Sequence, residues 1–341
     1  MSIQSSKSPP DISRVVKPDL HEEDIIAEVS LRPRRLDEYV GQEQMKVHLK
    51  VAIESAKIRR TSLEHILFYG PPGLWKTTIS TIIAHEMGSA IKSTSGPAIE
   101  KQSDIISLLT SLTEWEILFI DEIHRLRPQI EEILYSAMED YTIDIMIGSG
   151  TGSTSVKMDI PHFTLVGATT KLSNLSNPLR DRFGNVMKLD FYEPSDLAKI
   201  IKRSFQILGL KNIDNDAILA IAERSRWTPR IANRYTKILR DYAIIGRSIE
   251  GKDECEAIFA SFWVDTYGLD ILDRKLLSSL IESFHGRPVG LSTLASIVGE
   301  EVATIEEVVE PYLLQIGFIE RTPRWRQITP KGEEYLQKII K

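Results

Sequence analysis

The spacing of apolar and polar residues changes twice along the chain. Between residues 31 and 192, short apolar runs rich in β-favouring residues alternate with segments whose apolar residues recur at helical intervals. Three of these runs are "HILFYG", "EILFID" and "FTLVGATT". Strand-length runs that alternate with helices are typical of an α/β layer built on a parallel sheet. We therefore expect an α/β domain over residues 31–192.

The rest of the chain shows two further patterns. Residues 193–263 lack strand signals, and segments such as "PSDLAKIIKRSFQILGL" space their apolar residues for helices, which predicts an all-α domain. Residues 266–341 contain three helical patterns, two short strands around "RTPRWRQIT" and a last helix. That order is typical of a winged helix-turn-helix. Residues 1–30 are polar and proline-containing, and we expect a mobile tail there.

Composition restricts the class of protein. The 341 residues are 42% hydrophobic and 26% charged, which is ordinary for a soluble globular protein. The longest apolar runs have strand length, so no membrane span is expected. The single cysteine, Cys255, excludes an internal disulfide and suits a reducing cytoplasm, where we expect the protein to act. A net charge of −6 argues against a protein that coats nucleic acid over its whole surface, although it allows a local basic patch.

A phosphate-binding loop is predicted at "GPPGLWKTT", between the strand "HILFY" and a helical pattern. The motif G-x-x-x-x-G-K-[ST] is matched at Gly70, Lys76 and Thr77, but its second glycine is replaced by Trp75. In such loops, backbone N–H groups surround the phosphates, the lysine reaches the β- and γ-phosphates, and the hydroxyl ligates Mg²⁺. The motif and its context predict a site for ATP and Mg²⁺.

The apolar run in "ILFIDEIHRL" ends with two carboxylates, Asp121 and Glu122. Ligands bind at the carboxyl ends of parallel strands, so we expect Asp121 to hold the metal and Glu122 to polarise the attacking water. The strand "FTLVGATT" ends with Thr169 and Thr170. Either hydroxyl is placed to sense the γ-phosphate, and the alternative is a threonine that only closes a strand.

Several arginines lie where phosphates are expected. Arg182 follows the third strand in "NPLRDRFG", and Arg230 lies at the start of a helix in the all-α region. A guanidinium fork suits phosphate recognition. Arg321, Arg324 and Arg326 lie close together at the predicted wing. They predict a sequence-independent, salt-sensitive grip on DNA phosphates, and a solvated basic loop is the alternative.

The phosphate loop, "DEIH", "GATT", "PLRDRFG" and "TPRIANR" occur in this order before a winged helix. Together with "MEDYTIDIMIG" and "GFIERTPR", they resemble the RuvB family, the AAA+ motors of bacterial Holliday junction branch migration. The resemblance runs from about Leu31 to Lys341. It implies an α/β AAA+ P-loop ATPase domain, an all-α lid domain and a C-terminal winged-helix domain. It also implies an ATP-dependent DNA translocase that acts in recombination and DNA repair.

The resemblance assigns roles to individual positions. Thr170 corresponds to sensor 1, Arg230 to sensor 2, and Arg182 to an arginine finger that enters the neighbouring subunit's site. Positions that match the family's DNA contacts are Arg321 and Arg326. The positions that match its nucleotide contacts are Leu31, Arg32, Gly73, Lys76, Thr77, Thr78, Glu139, Asp140, Tyr141, Arg182, Tyr192 and Arg230.

The resemblance also implies partners. A finger that acts in a neighbour's site requires a ring, and the family forms homohexamers on duplex DNA and Holliday junctions. Residues 142–160 alternate apolar positions around a tip of Gly, Ser and Thr, which predicts a β-hairpin with an apolar face. Packing on the sheet is one interpretation of that face. The resemblance implies instead that the hairpin docks on RuvA, and that the resolvase RuvC joins the junction complex.

All five tryptophans stand where the family pattern has glycine: Trp75, Trp115, Trp227, Trp263 and Trp325. Independent substitutions would not select one residue type and one target at every position. Because some bacterial lineages read UGA as glycine and others as tryptophan, we hypothesise a decoding artefact that leaves the 19 glycines from ordinary codons intact. The true loop would then contain glycine at position 75.

Two other functions are compatible with parts of the sequence. A clamp-loader-type ATPase shares the AAA+ core but lacks the winged helix as a DNA-gripping third domain. A nucleotide-binding scaffold that does not hydrolyse ATP is the second alternative, and it depends on Trp75 being the true residue.

Overall fold

The computed structural model describes residues 30–147 and 154–340. The predicted N-terminal tail therefore lies outside the described residues, except for residue 30. The tip of the predicted hairpin, residues 148–153, also lies outside them.

The first part of the chain is built on a five-stranded parallel sheet with the strand order β2-β3-β6-β1-β7. The central strands are almost completely buried because helices cover both faces. This confirms the α/β layer. The strands are β1 (Ile66–Tyr69), β2 (Ile91–Ser95), β3 (Ile117–Asp121), β6 (Thr164–Thr169) and β7 (Asn185–Lys188).

The connections between the strands are mostly helical, as parallel pairing requires. The α-helices of this part are Glu43–Arg59, Lys76–Met87, Gln102–Thr110, Pro128–Glu139 and Asn177–Asp181. Short 3-10 helices occur at Leu36–Glu38, Gly96–Ala98, Ile123–Arg125 and Leu172–Asn174. The carboxyl ends of β1, β3 and β6 are neighbours in the sheet, so the polar residues that follow these strands meet at one edge.

A two-stranded antiparallel hairpin projects from this part. It consists of β4 (Thr142–Ile147) and β5 (Thr154–Asp159), with Ile145 opposite Val156. At its base, Ile143 and Ile160 are buried, whereas Val156 is 44% exposed further out. The base is therefore anchored in the core, and Val156 is partly exposed beyond it.

The second part is all-α, as predicted. Its helices are Pro194–Ile207, Asn215–Arg224, Pro229–Ile244 and Lys252–Ser261. Their apolar faces join one face of the parallel sheet in a single hydrophobic core, which includes Phe68, Leu197 and Phe259. A second core covers the other face of the sheet.

The last part has its own core and the predicted winged-helix order. Its elements are Ile271–Glu282, Leu291–Val298, Val302–Thr304, the π-helical turn Ile305–Val309, Glu310–Gln315, β8 (Ile319–Arg321), β9 (Arg326–Ile328) and Pro330–Ile340. The two strands pair antiparallel, and Val289 adds an isolated bridge to Arg326. Within the described residues, we find no helix with the length and apolar character needed to cross a lipid bilayer.

Candidate functional site

The loop between β1 and the helix Lys76–Met87 has the conformation of a phosphate-binding loop. Gly70 has φ 149°, and a Cβ at this position would lie 2.4 Å from the carbonyl oxygen of Leu189, so only glycine fits. The Lys76 ammonium donates to the carbonyls of Gly70 and Pro71, at 2.9 and 2.8 Å. Burial lowers the pKa of Lys76 to about 8, while Asp121 and Glu122 oppose that shift. The lysine is thus held inside the loop, where an anion would pair with it.

The two carboxylates predicted at the end of β3 lie beside this loop. Asp121 accepts a hydrogen bond from the Thr77 hydroxyl at 3.2 Å and another from the backbone N–H of Glu122 at 2.9 Å. Glu122 adopts the left-handed conformation, with φ 50°. A Cβ at Gly96 would lie 2.4 Å from the Glu122 carbonyl oxygen, so glycine at that position permits this turn. Gly96 is therefore a supporting residue that the motif did not reveal.

A histidine connects the acidic pair to the end of β6. His124 Nδ1 lies 2.9 Å from the Thr169 hydroxyl, and its Nε2 lies 3.5 Å from a Glu122 carboxylate oxygen. Burial lowers the pKa of His124, and Glu122 opposes that effect. Thr169, rather than Thr170, contacts the histidine, while Thr170 faces the loop. Sequence analysis did not single out His124, although "DEIH" contains it.

A cavity of about 410 Å³ lies between the loop, the acidic pair and the all-α part. It brings together six of the twelve predicted nucleotide positions with three of the predicted metal and catalytic residues. Those that line it are Arg32, Gly73, Lys76, Thr77, Thr78, Asp121, Glu122, Thr170 and Arg230. The hydroxyl of Thr78 is buried and has no hydrogen-bond partner among the described residues, so it is available to a ligand.

The helix Pro229–Ile244 contributes more of the cavity wall than the sequence predicted. Arg230 lies at its start, and the backbone N–H of Arg230 approaches the Gly73 carbonyl at 3.4 Å. Asn233, Arg234 and Lys237 also line the cavity. Their spacing from Arg230 follows one helical face, which is the signal that would have identified them. Basic side chains from two parts of the chain therefore surround a space large enough for a polyphosphate.

Four other predicted nucleotide positions lie away from this cavity. Arg182 donates to a Glu139 carboxylate oxygen at 2.9 Å and to the Pro178 carbonyl at 2.9 Å. Asp140 and Tyr141 directly follow Glu139, at the end of the helix Pro128–Glu139. None of the four lines the 410 Å³ cavity. The structure thus divides the predicted nucleotide positions between two surfaces of the chain.

Leu31 precedes the cavity residue Arg32 and Tyr192 lies beside Trp75, but neither of the two lines the cavity itself. Leu31 is fully buried, and its carbonyl accepts a hydrogen bond from Arg203 at 2.8 Å. The ring centroid of Tyr192 lies 6.3 Å from that of Trp75, and the ring centroid of Tyr39 lies 6.0 Å from it. The indole therefore packs among tyrosines at the edge of the phosphate-binding loop.

The three arginines of the wing differ in exposure. The side chain of Arg321 is 47% exposed, and Arg324 is exposed. Arg326 is only 5% exposed and forms a two-point ion pair with the fully buried Glu310, with one N–O distance of 3.1 Å. Arg326 is thus not presented to solvent, contrary to what a phosphate-facing role requires, because the buried carboxylate neutralises it inside the domain.

The comparisons with known proteins follow this three-part architecture. Family models match in chain order: the Holliday junction DNA helicase RuvB P-loop domain over residues 31–189, the RuvB AAA lid domain over 192–265, and the RuvB C-terminal winged helix domain over 266–337. The chain belongs to the RuvB family. Its members are AAA+ motors of Holliday junction branch migration, a family that binds ATP and DNA and acts in recombination and repair.

Solved structures agree with membership in the RuvB family. The Thermotoga maritima RuvB Holliday junction branch migration motor is 46% identical, with a TM-score of 0.82 over 90% of this chain and 98% of that chain. A point variant of the same protein is 47% identical, with a TM-score of 0.83 over the same shares. The Aeropyrum pernix ORC2 protein is 13% identical, with a TM-score of 0.54 over 88% of this chain and 92% of that chain, which shows the fold alone. Membership in the RuvB family favours a branch-migration motor over a clamp-loader-type ATPase.

Four of the five tryptophans in this RuvB-family chain have a left-handed backbone. The φ angles are 62° at Trp75, 65° at Trp115, 55° at Trp227 and 54° at Trp263. This conformation favours glycine and costs other residues roughly 1–2 kcal/mol. Three indoles are also unusually exposed: Trp115 by 43%, Trp263 by 63% and Trp325 by 49%. These backbone angles and exposures support the hypothesis that glycine is the true residue.

The side chains beside the loop fit a magnesium nucleotide. Thr77 and Asp121 supply a hydroxyl and a carboxylate oxygen within 3.2 Å of each other, and Mg²⁺ prefers such hard oxygen ligands. Among the described residues, no group of three or more His, Cys, Asp and Glu residues forms a metal cluster. The donor set therefore suits an ion that takes its other ligands from phosphates and water.

Proposed function

We propose that this chain is an ATP-dependent DNA translocase that drives branch migration of Holliday junctions. The observation that carries the proposal is the 410 Å³ cavity, in which the phosphate-binding loop, an acidic pair and basic residues of the helical lid converge. Membership in the RuvB family supports the same activity. The proposed domains are the ATPase domain at 31–192, the lid at 193–263 and the winged helix at 266–341.

Within the cavity, each side chain has a proposed task. Lys76 and Arg230 bind phosphate oxygens, and Thr77 with Asp121 hold Mg²⁺, which when bound would neutralise phosphate charge. Glu122 accepts the proton of the attacking water, and Thr170 orients that water beside the γ-phosphate. Leu31 and Tyr192 are buried near the cavity and pack against the base of the nucleotide.

The second surface supports action between subunits. Arg182, together with Glu139, Asp140 and Tyr141, lies outside the chain's own cavity. A guanidinium held beside Glu139 and Tyr135 is placed to enter the cavity of a neighbouring copy. An arginine finger of this kind contributes roughly 10³–10⁵ to the rate. We therefore propose a homohexameric ring, in which each active site is shared by two chains.

The remaining partners follow from exposed features. Arg321 and Arg324 face solvent and are proposed to grip DNA phosphates, whereas Arg326 reaches DNA only if its pair with Glu310 opens. The hairpin at 142–160 is anchored at its base and exposes Val156 further out, and it is proposed to dock on RuvA. RuvC is proposed to join the same junction complex, and the protein is proposed to act in the cytoplasm.

A second candidate function, a nucleotide-binding scaffold that does not hydrolyse ATP, is favoured by one observation. If tryptophan is the true residue at position 75, its indole fills the edge of the loop between Tyr39 and Tyr192. A bulky ring at that place would hinder the close approach of the loop backbone to the phosphates, which hydrolysis requires.

Steady-state ATP hydrolysis with and without duplex DNA separates the two functions. We expect the full chain with Trp75→Gly to hydrolyse ATP with DNA stimulation, and the added substitution Glu122→Gln to abolish turnover while nucleotide binding persists. If the scaffold is correct, the chain with Trp75 should bind ATP without turnover under any condition. A Trp75→Gly protein that binds ATP but also shows no turnover would remove the motor. Peptide mass mapping of residues 62–76 from the native host decides which residue occupies position 75.

A further inference from the structure

An ion pair joins the winged-helix domain to the ATPase domain directly beside the candidate site. The Lys171 ammonium lies 2.9 Å from a Glu307 carboxylate oxygen and 4.0 Å from Glu306. Lys171 directly follows Thr170, which lines the nucleotide cavity. Both glutamates lie on the π-helical turn Ile305–Val309, and π-helical turns occur frequently at functional sites.

From Lys171, a continuous set of contacts leads to Glu122. The backbone N–H of Lys171 donates to the Thr169 hydroxyl at 3.0 Å, and that hydroxyl lies 2.9 Å from His124 Nδ1. On the other side of the ring, His124 Nε2 lies 3.5 Å from a Glu122 oxygen. The carboxylate of Glu122, the proposed general base, thus lies beside His124. His124 in turn contacts Thr169, in the same loop as Lys171, which pairs with Glu307.

The charges on the two sides of this domain contact are complementary. The hydrogen bond between Lys171 and Glu307 raises the pKa of Lys171 and lowers the pKa of Glu307. Arg125 adds positive charge on the side that faces Glu307, and His124 adds to it when it is protonated. Lys171 is 33% exposed and Glu307 is 52% exposed, so solvent screens the pair and it can open at low cost.

We propose that Glu307 is a positioning residue that restrains the ATPase site through Lys171 while the winged helix is free of DNA. In this arrangement, the loop at Thr169–Lys171 keeps His124 in place, and His124 occupies a Glu122 carboxylate oxygen that would otherwise accept the proton of the attacking water. When the winged helix engages DNA and shifts, the ion pair opens, the loop relaxes and Glu122 becomes free to act. This inference rests on the proposed ATPase function.

The test compares ATP hydrolysis without and with duplex DNA in the full chain carrying Trp75→Gly. Glu307→Gln and Lys171→Gln should each raise the DNA-free rate, by at most about fivefold because an exposed ion pair contributes little. The DNA-stimulated rate should stay the same, so the stimulation ratio falls. Glu300→Gln is the matched control, since Glu300 is an exposed acid of the same domain. Lys171→Glu combined with Glu307→Lys should restore the low DNA-free rate, which a merely structural defect would not.

Hydrogen exchange provides a readout that does not require hydrolysis. The amide of Lys171, which bonds to the Thr169 hydroxyl, should exchange faster when DNA is added to the parent. In the Glu307→Gln variant, exchange of the Lys171 amide should already be fast without DNA. Equal exchange in the parent, Glu307→Gln and Glu300→Gln would overturn the restraint, whatever the hydrolysis rates. A parent that shows this exchange response but no hydrolysis would contradict the proposed function alone.

Discussion

At the scale of single residues, a left-handed backbone at a tryptophan has an energetic cost that the surrounding structure must offset. Trp263 illustrates this at the end of the helix Lys252–Ser261. Its N–H bonds to the Ala260 carbonyl, and the next N–H, from Val264, bonds to the Phe259 carbonyl. This is a Schellman motif with tryptophan at the position that glycine usually occupies. The indole is 63% exposed, so packing offsets little of the strain.

Trp263→Gly should therefore stabilise the protein by about 1 kcal/mol, because relief of the left-handed strain exceeds the greater freedom that glycine has in the unfolded chain. Urea unfolding followed by circular dichroism measures the change. Trp325→Gly serves as the control, since Trp325 is similarly exposed, at 49%, but is not among the residues with positive φ. We expect that substitution to be neutral or slightly destabilising. An equal gain at both positions would show that exposure of the indole, and not backbone strain, is the cause.

Residues of the site that belong to a contiguous sequence motif can be predicted from the sequence, whereas residues that meet only through the fold cannot. Lys76 and Thr77 were predictable because the loop motif is contiguous, and Asp121 because it ends a recognisable strand. Gly96 and the role of His124 were not predictable from the sequence. Their contacts arise from the strand order and from a turn at Glu122, which no local sequence pattern encodes. The cavity residues Arg234 and Lys237 depend on which face of the lid helix turns toward the loop.

At the scale of elements, the wing is attached to its domain by a buried ion pair. Glu310 is fully buried and pairs with Arg326, while Arg321 on the paired strand lies 3.6 Å from the same carboxylate and remains half exposed. The sequence places three arginines together at the wing, and the resemblance selects Arg321 and Arg326 as DNA contacts, with no signal that one of the two is buried. The carboxylate that separates them lies in a helix 16 residues from Arg326.

Glu310→Gln should destabilise the winged helix by about 3 kcal/mol, because it leaves the Arg326 guanidinium buried without its counter-charge. Thermal unfolding measures the loss. Arg321→Ala is the matched change on the exposed side. This substitution should leave the unfolding midpoint nearly unchanged. It should weaken duplex DNA binding and reduce the slope of log K for DNA binding against log salt concentration by about 1, because one phosphate contact is lost. If Arg321→Ala instead unfolds the domain and keeps the full salt slope, Arg321 is structural.

The element order was largely predictable, and the exceptions have local causes. Strand-length apolar runs and helical spacing located the parallel sheet, the lid and the winged helix, since each element buries one face. The π-helical turn at Ile305–Val309 could not be predicted, because its apolar spacing looks like that of an ordinary helix. The base of the hairpin packs in the core, as one interpretation of its apolar face requires, and docking on RuvA stays a prediction.

At the scale of the whole molecule, the separation of Arg182 from the cavity of its own chain predicts complementation between defective subunits. In the Trp75→Gly background, Arg182→Ala and Glu122→Gln should each be inactive alone. Mixed rings should recover part of the hydrolysis, since the Arg182→Ala subunit retains an intact cavity and its Glu122→Gln neighbour supplies the finger. Steady-state ATPase over a series of mixing ratios measures this recovery. Inactivity at every ratio, in rings whose assembly is confirmed by light scattering, would place Arg182 in its own chain's site.

The tryptophan backbone angles have a consequence for reading genomes. The φ angles of a folded chain show at which positions a side chain is tolerated and at which positions glycine is favoured. This information does not depend on the codon table used to translate the gene. If UGA has been translated as the wrong amino acid, the error should appear across a proteome as one residue type that is over-represented at positions with a left-handed backbone. A survey of φ by residue type would thus test a codon assignment from structure alone. Among the residues that the structure describes here, 11 residues other than glycine have a positive φ, and four of them are tryptophan.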